Sequence, residues 1–400
     1  MSYRSPILAV RGATELPDAS LIDAAGVPSH YSDPLREQRA VERGGVVIDR
    51  SHRRVIRVAG PDAPVYLNNL LSQKLDDVSP GFTAAALDLD MQGRILHHAD
   101  VTRTEDAFYL DVPSYAFETF LDFLTKMIFW SDVTVEEADL AILTVLGAPS
   151  SFDPAAVLAT PPAFVRTVDW RGPRRVDIAV PREELMDAFR ALTGADGAAL
   201  APAGIMTFTA ERIKALEPEQ RADLDAKSIP HEVHTLIARG GNLGAVHLDK
   251  GCYRGQETVA RVENLGRSPR LLVMLHIDGS APVDPQPGDT ITMGGRTVGR
   301  LGSVAQDCDY GPIGLALVKR SALNAPATPG PAAAIGAQLE ILAGSVPGGA
   351  ESTDSAEATA DLVVISASVD PDSLPADEGQ RAGRVAVNKL RGNAKTHPAK

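Results

Sequence analysis

The apolar residues of this 400-residue chain come in short runs, each ended within a few positions by glycine, proline or a charged side chain. Leu271–Leu275 is among the longest, far short of the roughly 20 residues that cross a bilayer. Such a pattern excludes membrane-spanning helices and favours short strands and amphipathic helices joined by frequent turns. Glycine and proline, 34 and 29 residues, supply the breaks. Hydrophobic residues at 44% and charged residues at 23% provide for a large buried core. The length corresponds to roughly two to three domains.

Charge and cysteine content exclude several functions. A net charge of −13 repels phosphate backbones, and aromatics at 5% are too few for a base-stacking platform, so direct nucleic-acid binding is not expected. Two cysteines, Cys252 and Cys308, cannot form a disulfide framework or supply four ligands to a metal or iron–sulfur cluster. With no apolar leader in the opening residues, the chain reads as cytoplasmic, reduced and independent of membranes.

The periodicity divides the chain into five stretches. Residues 1–45 form an N-terminal segment interrupted by Pro17, Pro28 and Pro34. Residues 46–146 alternate strands (Val46–Ile48, Val55–Val58, Ala84–Leu89, Ile95–Val101, Phe108–Val112, Val133–Val135, Leu140–Leu146) with two helices. Asp62 is positioned to cap the first helix and Ser114 the second, where Phe117, Phe120, Leu121 and Leu124 share one face. Residues 147–267 repeat the scheme, with strands Val165–Val168 and Val176–Val180, a helix over Arg182–Thr193, and helices or helix ends at Thr209–Leu216 and Val233–Ala238. Residues 268–345 read as short strands of an antiparallel barrel, the last over Ala337–Leu342. Residues 346–400 read as a flexible tail, acidic from Glu351 to Glu378 and basic from Gln380 to Lys400. The fold class is therefore α+β with a small barrel.

The densest chemistry lies around Cys252. Gly251 and Gly255 bracket it, Lys250 and Arg254 flank it, and a helix begins near Gln256, where Val259 and Val262 keep helical spacing. Glycines permit a tight loop that presents a side chain, while cations and a helix N-terminus favour a thiolate. Cys252 is thus a candidate nucleophile. The alternative is the ordinary state of a free cysteine, a small buried hydrophobe. Cys308, between Asp307 and Asp309, lacks the cationic setting.

The run Lys250-Gly251-Cys252-Tyr253-Arg254-Gly255-Gln256-Glu257 resembles the signature of the YgfZ-type folate-binding proteins, relatives of the glycine-cleavage T protein. Val58–Ala63, Gly93–Leu96, Arg212-Ile213, Pro230, Glu232 and Val298–Ser303 resemble further family elements, so the similarity spans about 46–320. The resemblance implies a three-lobed ring with a C-terminal barrel and a central pocket for tetrahydrofolate or a one-carbon-substituted folate. It implies an accessory role toward iron–sulfur assembly or client proteins, including tRNA-modifying enzymes, with Cys252 as the functional residue. It places Lys250, Gly251, Tyr253, Arg254, Gly255, Gln256 and Glu257 at the folate. Arg212 becomes the contact for the anionic glutamate tail, or else a surface ion pair with Glu211 or Glu217. The alternative activity is a folate-dependent aminomethyltransferase or methyltransferase.

Two departures weigh on that alternative. The transferases carry acidic residues after the Gly-Gly-Ile hairpin, whereas this chain has His97-His98, with Asp100 two residues on. Strand alternation lets at most one of the two histidines face a pocket. A pterin-binding carboxylate is expected near Gly172-Pro173-Arg174-Arg175, where Asp177 is the substitute. His231-Glu232-Val233-His234 lacks the spacing of a zinc-protease helix, and Gly240–Gly244 is expected to shape the loop before the signature.

Overall fold

The computed structural model describes residues 3–16, 20–194, 199–265, 267–323, 338–344 and 362–375. Two five-stranded sheets and a closed six-stranded barrel make up the body. In the first sheet the order is Thr83–Leu89, Ile95–Arg103, Ala107–Val112, Arg54–Ala59 and Thr134–Ala138. Helices Ala63–Leu70 and Ser114–Lys126 cover its apolar face. Phe117, Phe120 and Leu124 are fully buried on the side that their spacing predicts. Neither expected cap forms: the Asp62 carboxylate instead accepts from the Asp132 N–H, and Ser114 is already the first helical residue.

The second sheet runs Phe164–Val168, Arg175–Pro181, Leu140–Leu146, Val46–Asp49 and Ala201–Ala203. Two of its central strands, Val46–Asp49 and Leu140–Leu146, thus come from the stretch read as the first lobe. The reason is visible in their sequences. Each is an unbroken buried run, which needs cover on both faces and cannot serve as a half-solvated strand. The two α+β units are therefore interlocked, with the chain leaving the second sheet at Asp49 and re-entering it at Leu140. The N-terminal segment joins them: helix Pro34–Glu42 packs beside helix Ile205–Lys214, and the buried Glu37 carboxylate accepts from the Gly204 N–H at 2.9 Å.

The barrel order is Arg270–Ile277, Gly311–Lys319, Arg296–Asp307, Thr290–Met293, Gln338–Ala343 and Val363–Val369, every pairing antiparallel. Val363–Val369 lies inside the segment read as tail. Its alternating pattern puts Ile365, Ala367 and Val369 into the barrel core. The strand pairs with both Arg270–Ile277 and Gln338–Ala343, removing two edges at once. The remainder of the segment read as a tail, 346–361 and 376–400, lies outside the described residues. Among the described residues no helix is long and apolar enough to cross a membrane.

Candidate functional site

The signature forms a loop that ties the lobes together. Lys250 is buried, and its ammonium donates to the carbonyls of Asn68, Leu71 and Gln73 at 2.5, 2.5 and 2.9 Å. It thereby caps the C-terminal end of helix Ala63–Leu70, where carbonyls lack helical partners. Burial pulls the Lys250 amine down to about 7. Arg254 turns the other way: its guanidinium binds the Asp88 carboxylate and lies over the Phe123 ring, 4.4 Å from the centroid. Asp88 also binds His97 at 2.8 Å, and the other nitrogen of His97 meets the Thr119 hydroxyl at 2.9 Å. Tyr253 is buried beneath the Lys250 ammonium. Both cations read as activators of the thiol are therefore engaged with the first lobe.

Of the two bracketing glycines, only Gly255 has left-handed geometry, at φ +83°. A side chain there would come within 2.6 Å of the Asp90 carbonyl. Gly93, in the hairpin turn opposite, is likewise left-handed at φ +74° and faces Thr258. The loop thus seats against the hairpin backbone to backbone. Helix Gln256–Leu265 follows as its spacing predicts, with Glu257 exposed. The loop leaves Cys252 exposed, which removes the reading of a buried hydrophobe. Burial beside Asp307 and Asp309 pushes the Cys308 thiol up.

A cavity of about 1000 Å³ opens at the centre of the molecule. Its walls come from strands of both sheets, from Ala215–Pro218, from His234–Gly244 and from the turn after the last barrel strand. Trp170, Leu236 and Ile237 give it apolar surface, while Arg171 and Arg239 contribute cations. A smaller cavity of about 40 Å³ adjoins it, sharing His98, Asp100, Glu217 and Pro218. Of the paired histidines, only His98 faces the cavities, as strand alternation requires. Burial lowers the His98 pKa, which keeps the ring neutral.

Behind this wall lies a buried charge network that sequence reasoning missed. Arg175 pairs with Asp177 at 2.8 Å and with Glu217 at 3.0 Å. Arg166 joins Asp111, Asp177 and Asp100, and Arg53 joins Asp111 and Asp100. Arg50 sits 3.9 Å from Asp177 and over the Phe208 ring. Four arginines face four carboxylates, so the group is neutral overall, as burial demands. Despite desolvation, the three surrounding arginines hold the Asp100 carboxyl far below its usual range. The charges are scattered along the chain between 50 and 217, and no local spacing announces them.

The structure separates several predicted residues from the cavity. None of residues 250–257 lines it, so the thiol does not stand at its rim. Asp177 is fully buried within the arginine network and lines neither cavity. Arg212 is also buried, not a surface pair. It borders the small cavity, where it binds Asp223 at 2.9 Å, the Ser303 hydroxyl and the Glu217 carbonyl, bracing the barrel against helix Ile205–Lys214. Gly240–Gly244 forms part of the cavity wall itself. His231 meets Glu263 and Glu232 meets Arg270, so they do not converge with His234 on one point.

This arrangement of two sheets and a barrel is shared with a solved aminomethyltransferase. The glycine cleavage system aminomethyltransferase T from Bartonella henselae superposes with a TM-score of 0.69 over 91% of this chain and 94% of that one, at 17% identity. Residues 24–160 match the GCVT N-terminal domain and residues 270–347 match the CAF17 C-terminal beta-barrel domain. The chain thus pairs a GCVT-type N-terminal domain with a CAF17-type C-terminal barrel, and its curated relatives include IBA57 and YgfZ. It is 29% identical to the human mitochondrial iron-sulfur cluster assembly factor IBA57 over 299 residues, 68% of this chain and 77% of the relative. It is 29% identical to the tRNA-modifying protein YgfZ of Cronobacter sakazakii over 249 residues, 59% of this chain and 72% of the relative.

Proposed function

We propose that this protein is a tetrahydrofolate-binding accessory factor for the assembly or maintenance of iron–sulfur enzymes, tRNA-modifying enzymes among them, and that Cys252 is its working thiol. The observation that carries the reading is the pairing of a folate-sized central cavity with an exposed signature cysteine outside it. The cavity falls at the upper end of the usual range for cofactor sites, roughly 300–1,000 Å³. Its contents suit a folate: polar groups at His98, Asp100 and Glu217, apolar surface at Trp170, Leu236 and Ile237, and cations at Arg171 and Arg239 for the carboxylate tail. The likeness to IBA57 and YgfZ supports the iron–sulfur role.

Because the thiol lies outside the cavity lining, its partner is a protein or a cluster presented by one, not the one-carbon unit of the folate. The two sites are joined through Gln73. Its side-chain amide donates to the carbonyls of Ala85 and Gly244 in the cavity wall, and its own carbonyl accepts from Lys250. Against aminomethyl transfer stands Asp100, the remaining acid on this strand face. Its carboxylate is already paired with Arg53, Arg166 and Arg175, which ties it into the charge network rather than leaving it to a ligand.

The test compares wild type with Cys252→Ser in cells lacking the endogenous protein. Wild type restores the activity of a dependent iron–sulfur enzyme, and the variant binds tetrahydrofolate normally but does not restore it. Equal rescue by both would remove the thiol from the mechanism.

A further inference from the structure

The folate reading leaves open which group recognises the bicyclic head of the ligand, and Asp177, the substitute carboxylate expected from the sequence, is not available for it. Its Oδ1 accepts from Thr144 Oγ1 and Arg175 Nε at 2.7 and 3.1 Å. Its Oδ2 accepts from Arg166 Nε and Nη2 at 3.0 and 2.8 Å and from Arg175 Nη2 at 2.8 Å. A carboxylate offers about four lone-pair positions, so these donors leave no acceptor capacity. The group is fully buried and lines neither cavity.

Among the described residues, four carboxylates line the large cavity: Asp100, Asp169, Glu217 and Asp372. Asp169 and Asp372 are exposed, where water competes for them. Asp100 is held between Arg53, Arg166 and Arg175 at 3.7, 3.4 and 3.5 Å. Glu217 differs from all three. Its two oxygens share a single donor, Arg175 Nη1, at 3.1 and 3.0 Å, and a quarter of its side chain is accessible. It stands where the two cavities meet, beside the neutral His98.

The backbone at this point is also unusual. Leu216 adopts left-handed geometry at φ +58°, a conformation that side-chain-bearing residues rarely take and that concentrates at functional sites. The turn is pinned by the Glu217 N–H donating to the Arg212 carbonyl at 2.9 Å, and Leu216 itself is buried in the core. This turn ends helix Ile205–Lys214 and delivers Glu217 to the cavity junction.

Building on the folate reading, we propose that Glu217, not Asp177, receives the adjacent N–H donors of the ligand's 2-amino-4-oxo heterocycle and so sets specificity for a pterin head. A ring amide N–H and a neighbouring amino group form two parallel donors that match the free lone pairs of a carboxylate. Arg175 holds and orients that carboxylate from behind.

The probes are 6-methyltetrahydropterin and its N3-methyl counterpart, titrated calorimetrically against the full-length wild-type protein. Methylation removes the central N–H donor, and the proposal expects binding to weaken by roughly tenfold or more. In Glu217→Gln the unmethylated probe weakens by about the same factor and the methylation penalty shrinks, while p-aminobenzoylglutamate binds as to wild type. Equal affinity of wild type for both pterins overturns the assignment to Glu217 and leaves the folate reading standing. Failure of wild type to bind either pterin or tetrahydrofolate overturns both. The wild-type comparison stands even if the variant does not fold.

Discussion

At the scale of single residues, exposure and burial assign different duties within one eight-residue signature. Cys252 is exposed, so Cys252→Ser should alter unfolding free energy by no more than about 0.5 kcal/mol while abolishing rescue of the dependent enzyme. Lys250 is the reverse case, a buried anchor. Its folded-state pKa of about 7 lies below the ordinary 10.5, so between those values the unfolded chain binds more protons than the native one. Stability from this group therefore rises with pH across that window and is lowest below it. Urea unfolding of wild type against Lys250→Met at several pH values should show a stability difference that moves in favour of wild type from pH 7 toward 10.5. A difference that stays flat would mean that the amine is not desolvated in the fold. At this scale the sequence singled out Cys252, which the fold leaves exposed, but misjudged its neighbours. Adjacency along the chain suggested that Lys250 and Arg254 act on the thiol, whereas both side chains are engaged by carbonyls and a carboxylate from distant segments. Asp177 was misjudged for a similar reason, since its partners Arg166 and Thr144 come from neighbouring strands.

At the scale of elements, the contact between the signature loop and the hairpin at Asp90–Gly93 fixes how the lobes meet. Gly255→Ala places a Cβ within 2.6 Å of the Asp90 carbonyl in a left-handed backbone. The expected cost is about 1–3 kcal/mol, readable as a lowered thermal midpoint, together with weaker rescue because the loop is displaced. An unchanged midpoint would show that the loop does not seat here. Strong periodicity made the elements themselves legible: helix Ser114–Lys126, helix Gln256–Leu265 and the strand face carrying His98 and Asp100 all follow from spacing. The caps were not legible, because the Asp62 carboxylate reaches Asp132, seventy positions away. Nor was the role of Gly240–Gly244, whose place in the cavity wall depends on the opposite sheet.

At the scale of the whole molecule, order along the chain and order in space diverge. Val46–Asp49 and Leu140–Leu146 flank the first sheet in sequence yet form the middle of the second, so neither α+β unit is closed without the other. The barrel likewise depends on Val363–Val369, beyond a segment whose composition reads as linker. Truncation after residue 344 exposes the edges of Arg270–Ile277 and Gln338–Ala343, so the product should aggregate or unfold at lower temperature. Truncation after residue 375 retains that strand and should leave the thermal midpoint unchanged. If the shorter product were as soluble and stable as the longer, the strand would not be closing the barrel.

The central claim is that a folate occupies the cavity between the sheets, and the chain carries its own reporter. Of its two tryptophans, Trp170 lines that cavity and Trp130 is almost wholly exposed on the outer surface. In Trp130→Phe, titration with tetrahydrofolate should quench the remaining emission saturably, and p-aminobenzoylglutamate in excess should reverse the quenching. In Trp170→Phe the emission of Trp130 should stay constant. Saturable quenching of Trp130 with none at Trp170, or no quenching of either, would contradict the account.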